Sequence, residues 1–249
     1  MIDTHCHVYK EYFDDISKLI DDIKAAGIDK IIVNGCDMKS NLEVLDLVNR
    51  YDIVYGALGF HPTELDDYND ECILWLEKHI NDKKIVAIGE IGLDYHYDNT
   101  DKYLQKNVFK KQLDVAQKYN KPVIVHSRDA IQDTYDMLSE YKLHGSIHCY
   151  SGSLEMAREF IKLGYFIGVG GVCTYKNSKN IKNVLENISL EYILLETDSP
   201  YLPPEGKRGE INNPANIPII VDKISEIKNV SNEEVIRVTT DSANSLFDF

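Results

Sequence analysis

The chain alternates short β-branched runs with amphipathic stretches from one end to the other. The β-branched runs favour strands, and the patterns between them have the apolar spacing of helices. This alternation predicts parallel βα units, because two parallel strands need a crossover that is long enough to hold a helix. The predicted strands are Met1–His7, Lys30–Gly35, Ile53–Gly59, Ile85–Ile91, Pro122–His126, Gly145–Cys149, Tyr165–Gly170 and Tyr192–Thr197.

Local signals mark where several helices begin and end. Apolar residues recur at helical spacing from Ile16 to Ile23, and Gly27 follows as a stop. Ser153 is the predicted N-cap of a helix over Leu154–Leu163, which the next glycine closes. Further helices are predicted over Thr100–Tyr119, Ile217–Lys228 and Asn232–Leu246.

Eight βα units are the number that closes a barrel, whereas an open doubly wound sheet is the competing architecture. No GxGxxG motif follows the first strand, and residues of metal-ligand type end predicted strands one, four, five, six and eight. Those ends would be spread along the edge of an open sheet, but they converge at one mouth of a closed barrel. We therefore expect an α/β protein with a single-domain (β/α)8 TIM barrel over residues 1–249. The Pro- and Gly-rich segment Asp198–Asn216 follows the last strand, where long barrel loops serve function.

Bulk composition narrows the class of protein further. The net charge of −14 argues against a protein that coats duplex nucleic acid, since such binding depends on Lys and Arg neutralising phosphates. No apolar run approaches the ~20 residues of a membrane span, and no secretory signal is evident. The five cysteines are irregularly spaced, so they predict no disulfide framework. We expect a cytoplasmic protein with no membrane association and no obligate protein partner.

The strongest local motif is the pair His5 and His7 in the first predicted strand. Alternate strand residues project to the same side, so the two imidazoles point together. Later strands end in residues of the same ligand type, which are Glu90, His126, His148 and Asp198. Imidazole and carboxylate groups bind Zn²⁺ and Mn²⁺, and Glu90 has two oxygens with which to bridge two ions. We expect Asp3 to orient an imidazole, and Cys6 and Cys149 to point away from the mouth.

At these motifs the chain resembles the TatD-like metal-dependent hydrolases, a (β/α)8 branch of the amidohydrolase group. The resemblance spans nearly the whole chain and rests on motifs in family order. They are Asp3-Thr4-His5-Cys6-His7, Gly59-Phe60-His61-Pro62, Gly89-Glu90-Ile91-Gly92-Leu93-Asp94, Val125-His126-Ser127-Arg128, His148-Cys149-Tyr150-Ser151-Gly152 and Glu196-Thr197-Asp198-Ser199-Pro200-Tyr201-Leu202. Tyr150 stands where the family often has Phe, and the loop Gly206–Pro214 carries extra residues.

The resemblance implies two divalent metal ions, with Zn²⁺, Mn²⁺ and Mg²⁺ all left open. His5, His7 and Asp198 would hold one ion and His126 and His148 the other, with Glu90 as the bridge. Glu90 and Asp198 are then the catalytic residues, because Asp198 can also hold the attacking water or accept its proton.

Candidate substrate contacts are His61, Arg128 and Arg208, the last beside Lys207. The planar guanidinium of arginine suits phosphate oxygens. Tyr95, Tyr150 and Tyr201 are candidates for stacking on the bases of a single strand.

The implied activity is a deoxyribonuclease that hydrolyses phosphodiesters from the ends of single-stranded DNA with a metal-activated water. The alternative is an ester or amide hydrolase, such as an aminoacyl-tRNA deacylase, on the same binuclear site. A non-catalytic metal-binding protein is the third class, and the complete ligand set argues against it.

Overall fold

The computed structural model describes residues 1–97 and 101–249. Its strands form one eight-stranded sheet in sequence order, and each strand is paired in parallel with the next. They are β1 Ile2–Cys6, β2 Lys30–Asn34, β3 Val54–Leu58, β4 Ile85–Asp94, β5 Val123–Arg128, β6 Gly145–Ile147, β7 Tyr165–Val169 and β8 Ile193–Leu195.

The sheet curls into a nearly closed barrel because the chain beyond β8 returns to β1. The backbone N–H of Asp198 donates to the carbonyl of His5 at 3.0 Å. The N–H of His7 donates to the carbonyl of Ser199 at 2.6 Å. The prediction of a single-domain (β/α)8 barrel is confirmed, and the open doubly wound sheet is excluded.

Helices alternate with the strands and surround the barrel. They are α1 Ile16–Ala25, α2 Met38–Arg50, α3 Asp70–His79, α4 Lys102–Tyr119, α5 Ile131–Ser139, α6 Leu154–Lys162, α7 Lys179–Asn187, α8 Ile217–Lys228 and α9 Asn232–Leu246. The Ser153 hydroxyl accepts from the Met156 N–H at 3.3 Å and so caps α6 as predicted. The predicted helix start at Thr100 lies outside the described residues. Across the described chain, the helices are too short or too polar to span a membrane.

The strand bounds agree with the predictions to within two residues, except in β4. That strand continues to Asp94, three residues beyond its predicted end at Ile91. The extension is possible because Gly92 has a φ of +145° and pairs with His126 of β5. A side chain at Gly92 would place its Cβ 2.0 Å from the carbonyl oxygen of His126. Glycine therefore allows β4 and β5 to approach closely beside the site.

Apolar residues fill one end of the barrel and leave the other for polar groups. Ile32, Ile124 and Leu194 belong to one buried cluster, to which Phe247 at the end of α9 also contributes. Ile124 lies two residues before His126 in β5, so strand alternation puts it below that side chain. The polar site therefore rests on an apolar floor at the carboxyl ends of the strands.

Candidate metal centre

The structure brings the six predicted ligand residues together at the mouth formed by the carboxyl ends of the strands. His5, Glu90 and His126 lie in β1, β4 and β5, while His7, His148 and Asp198 lie just beyond β1, β6 and β8. Their side chains are buried or nearly so. Three groups among these residues and His61 have ligand atoms within 4.8 Å of one another, which is close enough to share an ion.

One cluster consists of two imidazoles and two carboxylates. Nε2 of His5 lies 3.1 Å from Nε2 of His7. Oε2 of Glu90 lies 3.4 Å from Nε2 of His5 and 3.3 Å from Nε2 of His7. Oδ1 of Asp198 lies 3.5 Å from Nε2 of His5 and 3.7 Å from Nε2 of His7. Nε2 of each ring therefore lies within 3.7 Å of one oxygen of each carboxylate.

The second cluster uses the other oxygen of Glu90. Oε1 of this residue lies 2.9 Å from Nδ1 of His126 and 2.7 Å from Nε2 of His148. The two ring nitrogens are 3.1 Å apart. The ring of His148 also stacks on that of His5, with the ring centroids 3.9 Å apart. Glu90 thus lies between the clusters with one oxygen directed at each.

The donor spacing fits divalent ions. Nitrogen and oxygen donors about 2.0–2.1 Å from a tetrahedral ion lie about 3.3–3.4 Å from one another. The separations in the His5 cluster, from 3.1 to 3.7 Å, span that value.

Hydrogen bonds to groups outside the two clusters orient two of the imidazole rings. Nδ1 of His7 donates to the carbonyl oxygen of Asn34 at 3.1 Å, so Nε2 is the nitrogen that faces the cluster. Nε2 of His126 donates to Oδ2 of Asp94 at 3.1 Å, which leaves Nδ1 facing Glu90. Hydrogen bonds of this kind fix the tautomer and orientation of metal-binding histidines.

Asp94 is a site residue that the sequence analysis missed. It is buried, and its Oδ1 accepts from the backbone N–H of His96 at 2.9 Å while Oδ2 contacts His126. The sequence does contain a pattern that predicts its position, because Glu90, Gly92 and Asp94 alternate and so share one side of a strand that continues past Ile91. Asp94 was missed because the predicted strand ended at Ile91.

Asp3 has a different role from the one predicted. Its carboxylate accepts from the Thr197 hydroxyl at 2.6 Å, from the Thr197 N–H at 3.1 Å and from the His5 N–H at 3.2 Å. Its partners are therefore a hydroxyl and backbone groups, and the expected contact with an imidazole was wrong. Asp3 holds β1 against the chain that follows β8, and in this way it positions the backbone on both sides of the site.

Glu196 is a second buried acid near the site that the sequence analysis did not single out. It accepts from the backbone N–H of Cys149, and its Oε1 lies 3.9 Å from Nδ1 of His148. Burial raises the pKa of Glu196 well above its ordinary value. The residue supports the segment that carries His148.

His61 lies beside the second cluster, with Nε2 3.4 Å from Oε1 of Glu90. The backbone N–H of Thr63 donates to Nδ1 of His61 at 3.2 Å, so the neutral ring carries its hydrogen on Nε2. Burial lowers the pKa of His61, which favours this neutral form. His61 therefore presents an N–H donor to the site.

The two candidate arginines for substrate binding lie in different places relative to the site. Arg128 ends β5 at the exposed rim, two residues after His126, and its guanidinium lies 5.9 Å from the centre of the Tyr97 ring. Arg208 lies in the long loop after β8. Its Nε is 3.7 Å from Oε2 of Glu205, and its guanidinium lies 4.2 Å from the centre of the Tyr175 ring. Arg208 thus has local partners rather than contacts with the six ligand-type side chains.

The cysteine and tyrosine expectations were correct in part. Cys6 is buried in the core as predicted, whereas Cys149 is half-buried beyond the end of β6 with a φ of +44°. Tyr150 is buried, and its hydroxyl donates to the Ser153 carbonyl at 2.7 Å, so it is unavailable for stacking.

Burial and neighbouring charged groups both shift the pKa values of the site residues, and for the carboxylates they act in opposite directions. Burial alone would raise the pKa of Glu90, but the surrounding imidazoles lower it well below its ordinary value. Burial lowers the pKa of His5 to about 4, so this ring is neutral at pH 7. Burial alone would raise the pKa of Asp198, but the bond to His7 and the nearby imidazoles lower it. The centre therefore holds two ionised carboxylates, as a site for cations requires.

The sequence profile described as TatD related DNase matches residues 2–248. The chain belongs to this family. It is 37% identical to the uncharacterized metal-dependent hydrolase YabD of Bacillus subtilis, over 99% of this chain and 98% of that protein.

Two Escherichia coli proteins extend the comparison. The uncharacterized metal-dependent hydrolase YcfH is 34% identical, over 99% of this chain and 95% of the relative. The crystal structure of YjjV, a TatD homologue, matches with a TM-score of 0.96 and 32% identity, covering 100% of this chain and 98% of that one. This TatD-family chain is accordingly a metal-dependent hydrolase with the barrel of its relatives.

Proposed function

We propose that this TatD-family protein is a deoxyribonuclease that hydrolyses phosphodiester bonds at the ends of single-stranded DNA. The observation that carries the proposal is the placement of Glu90, which directs one carboxylate oxygen at each of two clusters of ligand-type atoms. Paired divalent sites suit phosphodiester hydrolysis, because they stabilise both the attacking and the leaving oxygen. The family description as a TatD related DNase supports DNA as the substrate.

In this proposal the six residues hold two divalent ions. His5, His7 and Asp198 would hold one ion and His126 and His148 the other, and Glu90 would contribute an oxygen to each. The four imidazoles favour Zn²⁺ or Mn²⁺ over Mg²⁺. When bound, the ions supply Lewis acidity to the phosphate and bring the pKa of water toward neutrality.

The side chains around the ions perform the remaining steps. Asp198, which is ionised, accepts the proton of the water that attacks phosphorus. The N–H at Nε2 of His61 donates to a phosphate oxygen beside Glu90. Arg128 at the rim contacts the neighbouring phosphate of the strand, and Arg208 contributes a weaker, more distant charge. The leaving oxygen takes a proton from solvent as the P–O bond breaks.

A direct assay tests the proposal. Purified protein with Mn²⁺, Zn²⁺ or Mg²⁺ is incubated with an end-labelled single-stranded oligonucleotide, a matching duplex and an aminoacyl-tRNA. We expect stepwise shortening of the single strand, slower cleavage of the duplex, and no shortening in the presence of a chelator. Deacylation of the aminoacyl-tRNA without any shortening of the oligonucleotide would instead identify a carbonyl ester hydrolase. Full metal loading without hydrolysis of any of these substrates would leave only metal binding.

Replacing Asp94 with Asn is expected to weaken metal binding by roughly 10- to 100-fold, the usual cost of losing an outer carboxylate partner. The amide removes the charge that orients His126 through its Nε2. Affinity is measured by competition with a chelator. Asp129→Asn is the matched control, since Asp129 lies 3.0 Å from Nδ1 of the exposed His96. Equal affinities for the two variants would show that Asp94 does not support the centre.

Metal affinity is expected to rise with pH by at least tenfold per unit up to about pH 9. Burial alone would lower the pKa of His126, but its bonds to Asp94 and Glu90 raise it to about 9. Below that pH the ring carries a proton on the nitrogen that must bind the ion, so the ion that binds His126 displaces at least one proton. Isothermal titration with Mn²⁺ in buffers of different ionisation enthalpy measures the protons released. An affinity that stays constant between pH 7 and pH 9 would contradict this linkage.

A further inference from the structure

Tyr201 is a large, half-exposed aromatic side chain at the mouth. It follows Asp198 by three residues, and it is 50% exposed. Its ring centroid lies 6.1 Å from that of His7, with the two ring planes at 64°. This half-exposed ring is therefore next to the His5 and His7 cluster.

A second tyrosine holds this ring in place. The hydroxyl groups of Tyr12 and Tyr201 lie 2.8 Å apart, and the ring centroids lie 5.9 Å apart. Tyr12 comes from the segment between β1 and α1, whereas Tyr201 comes from the segment after β8. The hydrogen bond joins two loops and orients Tyr201 in advance, so a ligand that stacks on it need not order a free side chain.

Further apolar groups in the same loop are exposed. Leu202 is 36% exposed and Ile211 is 59% exposed. Single exposed apolar residues are common on protein surfaces, but several that follow a site residue in one loop are typical of a ligand surface. Among the three tyrosines suggested by the sequence, Tyr150 is buried, and Nζ of Lys102 lies over the ring of Tyr95, 4.3 Å from its centroid. Tyr201 is the candidate that presents its ring beside the site.

We propose that Tyr201, oriented by Tyr12, is a stacking platform for an unpaired base of the strand whose phosphodiester lies at the metal centre. This inference rests on the proposed nuclease function and specifies how the enzyme selects its substrate. An aromatic ring stacks on any base, so binding at this platform does not depend on the nucleotide sequence. A base within a duplex is covered by its neighbours, so the platform favours a free end or a single strand.

The charge of the protein supports a base as the occupant. The chain has 27 Lys and Arg against 41 Asp and Glu, so phosphate contacts spread over the protein surface away from the mouth offer little affinity. Stacking is independent of that charge, and it supplies the affinity that an acidic nuclease otherwise lacks.

The test measures binding and turnover of Tyr201→Ala, Tyr201→Phe and Tyr192→Ala. Tyr192 is the matched control, because it is 41% exposed and precedes β8, at the opposite end of the barrel from the mouth. Binding is followed by the emission of a terminal 2-aminopurine in a short single-stranded oligonucleotide, since stacking quenches this base. Turnover is measured on that oligonucleotide, on an abasic version and on bis(p-nitrophenyl) phosphate.

We expect Tyr201→Ala to bind the oligonucleotide about tenfold more weakly and to lose most of the quenching. Its loss of kcat/KM on the oligonucleotide should exceed its loss on the small diester by a similar factor. Tyr201→Phe keeps the ring and should retain most of the quenching, and Tyr192→Ala should behave as the wild-type protein. The abasic strand should bind wild-type protein and Tyr201→Ala equally.

Two results would overturn the platform. One is unchanged quenching and binding in Tyr201→Ala, and the other is an equal loss on the oligonucleotide and on the small diester, which would indicate that Tyr201 only supports His7. The binding measurement is independent of turnover. A wild-type protein that binds and quenches the oligonucleotide without cleaving it would therefore overturn the nuclease proposal and leave the platform standing.

Discussion

Glu90→Gln is expected to reduce metal-dependent turnover by about a thousandfold or more. The amide keeps the size of the side chain but replaces a charged ligand oxygen with an NH₂ group that cannot bind a cation. An active-site cation contributes several kcal/mol of transition-state stabilisation, and each 1.36 kcal/mol changes the rate tenfold. Since Glu90 contacts both clusters, its loss affects both positions. The measurements are kcat/KM and metal content by mass spectrometry.

A matched control separates this effect from a general loss of negative charge. Glu155 is an exposed acid in the first turn of α6, and Glu155→Gln should keep full activity and metal content. If Glu90→Gln binds two ions per chain and retains more than about a tenth of the activity, the bridging role of Glu90 is wrong.

Gly92→Ala is expected to lower the free energy of unfolding by about 4 kcal/mol or more, a loss typical of severe core defects. The new Cβ would lie 2.0 Å from the carbonyl oxygen of His126, where no carbon atom fits. In addition, the φ of +145° at this position is unfavourable for alanine. β4 and β5 must move apart, which displaces the backbone of His126. Urea unfolding and the yield of soluble protein measure the effect.

Gly164→Ala provides the matched control. Gly164 has a φ of +93° at the end of α6, and a Cβ there meets nothing within 4 Å. Alanine at this position should lower the free energy of unfolding by roughly 1–2 kcal/mol, because only the positive φ is unfavourable for it. Similar urea midpoints for the two variants would show that close approach between β4 and β5 is unimportant.

The barrel was predictable because its signals are local. The period of two in each strand and of 3.6 in each helix is set by neighbouring residues, so the strand ends are visible in the sequence. For the same reason, His5 and His7 could be placed on one side of β1. The end of β4 was predicted less well, because the continuation to Asp94 depends on pairing of Gly92 with His126, which lies 34 positions further along the chain.

The sequence by itself determined the fold class and the kinds of ligand atom at each strand end, since both follow from the order and spacing of residues along the chain. Only the tertiary structure decided how those atoms are shared. It directs one oxygen of Glu90 at each cluster, pairs Asp94 with His126, assigns Asp3 to Thr197 and exposes Tyr201 while burying Tyr150. The physical reason is that hydrogen bonds and burial depend on which distant segments meet in space, and closure of the barrel brings those segments together.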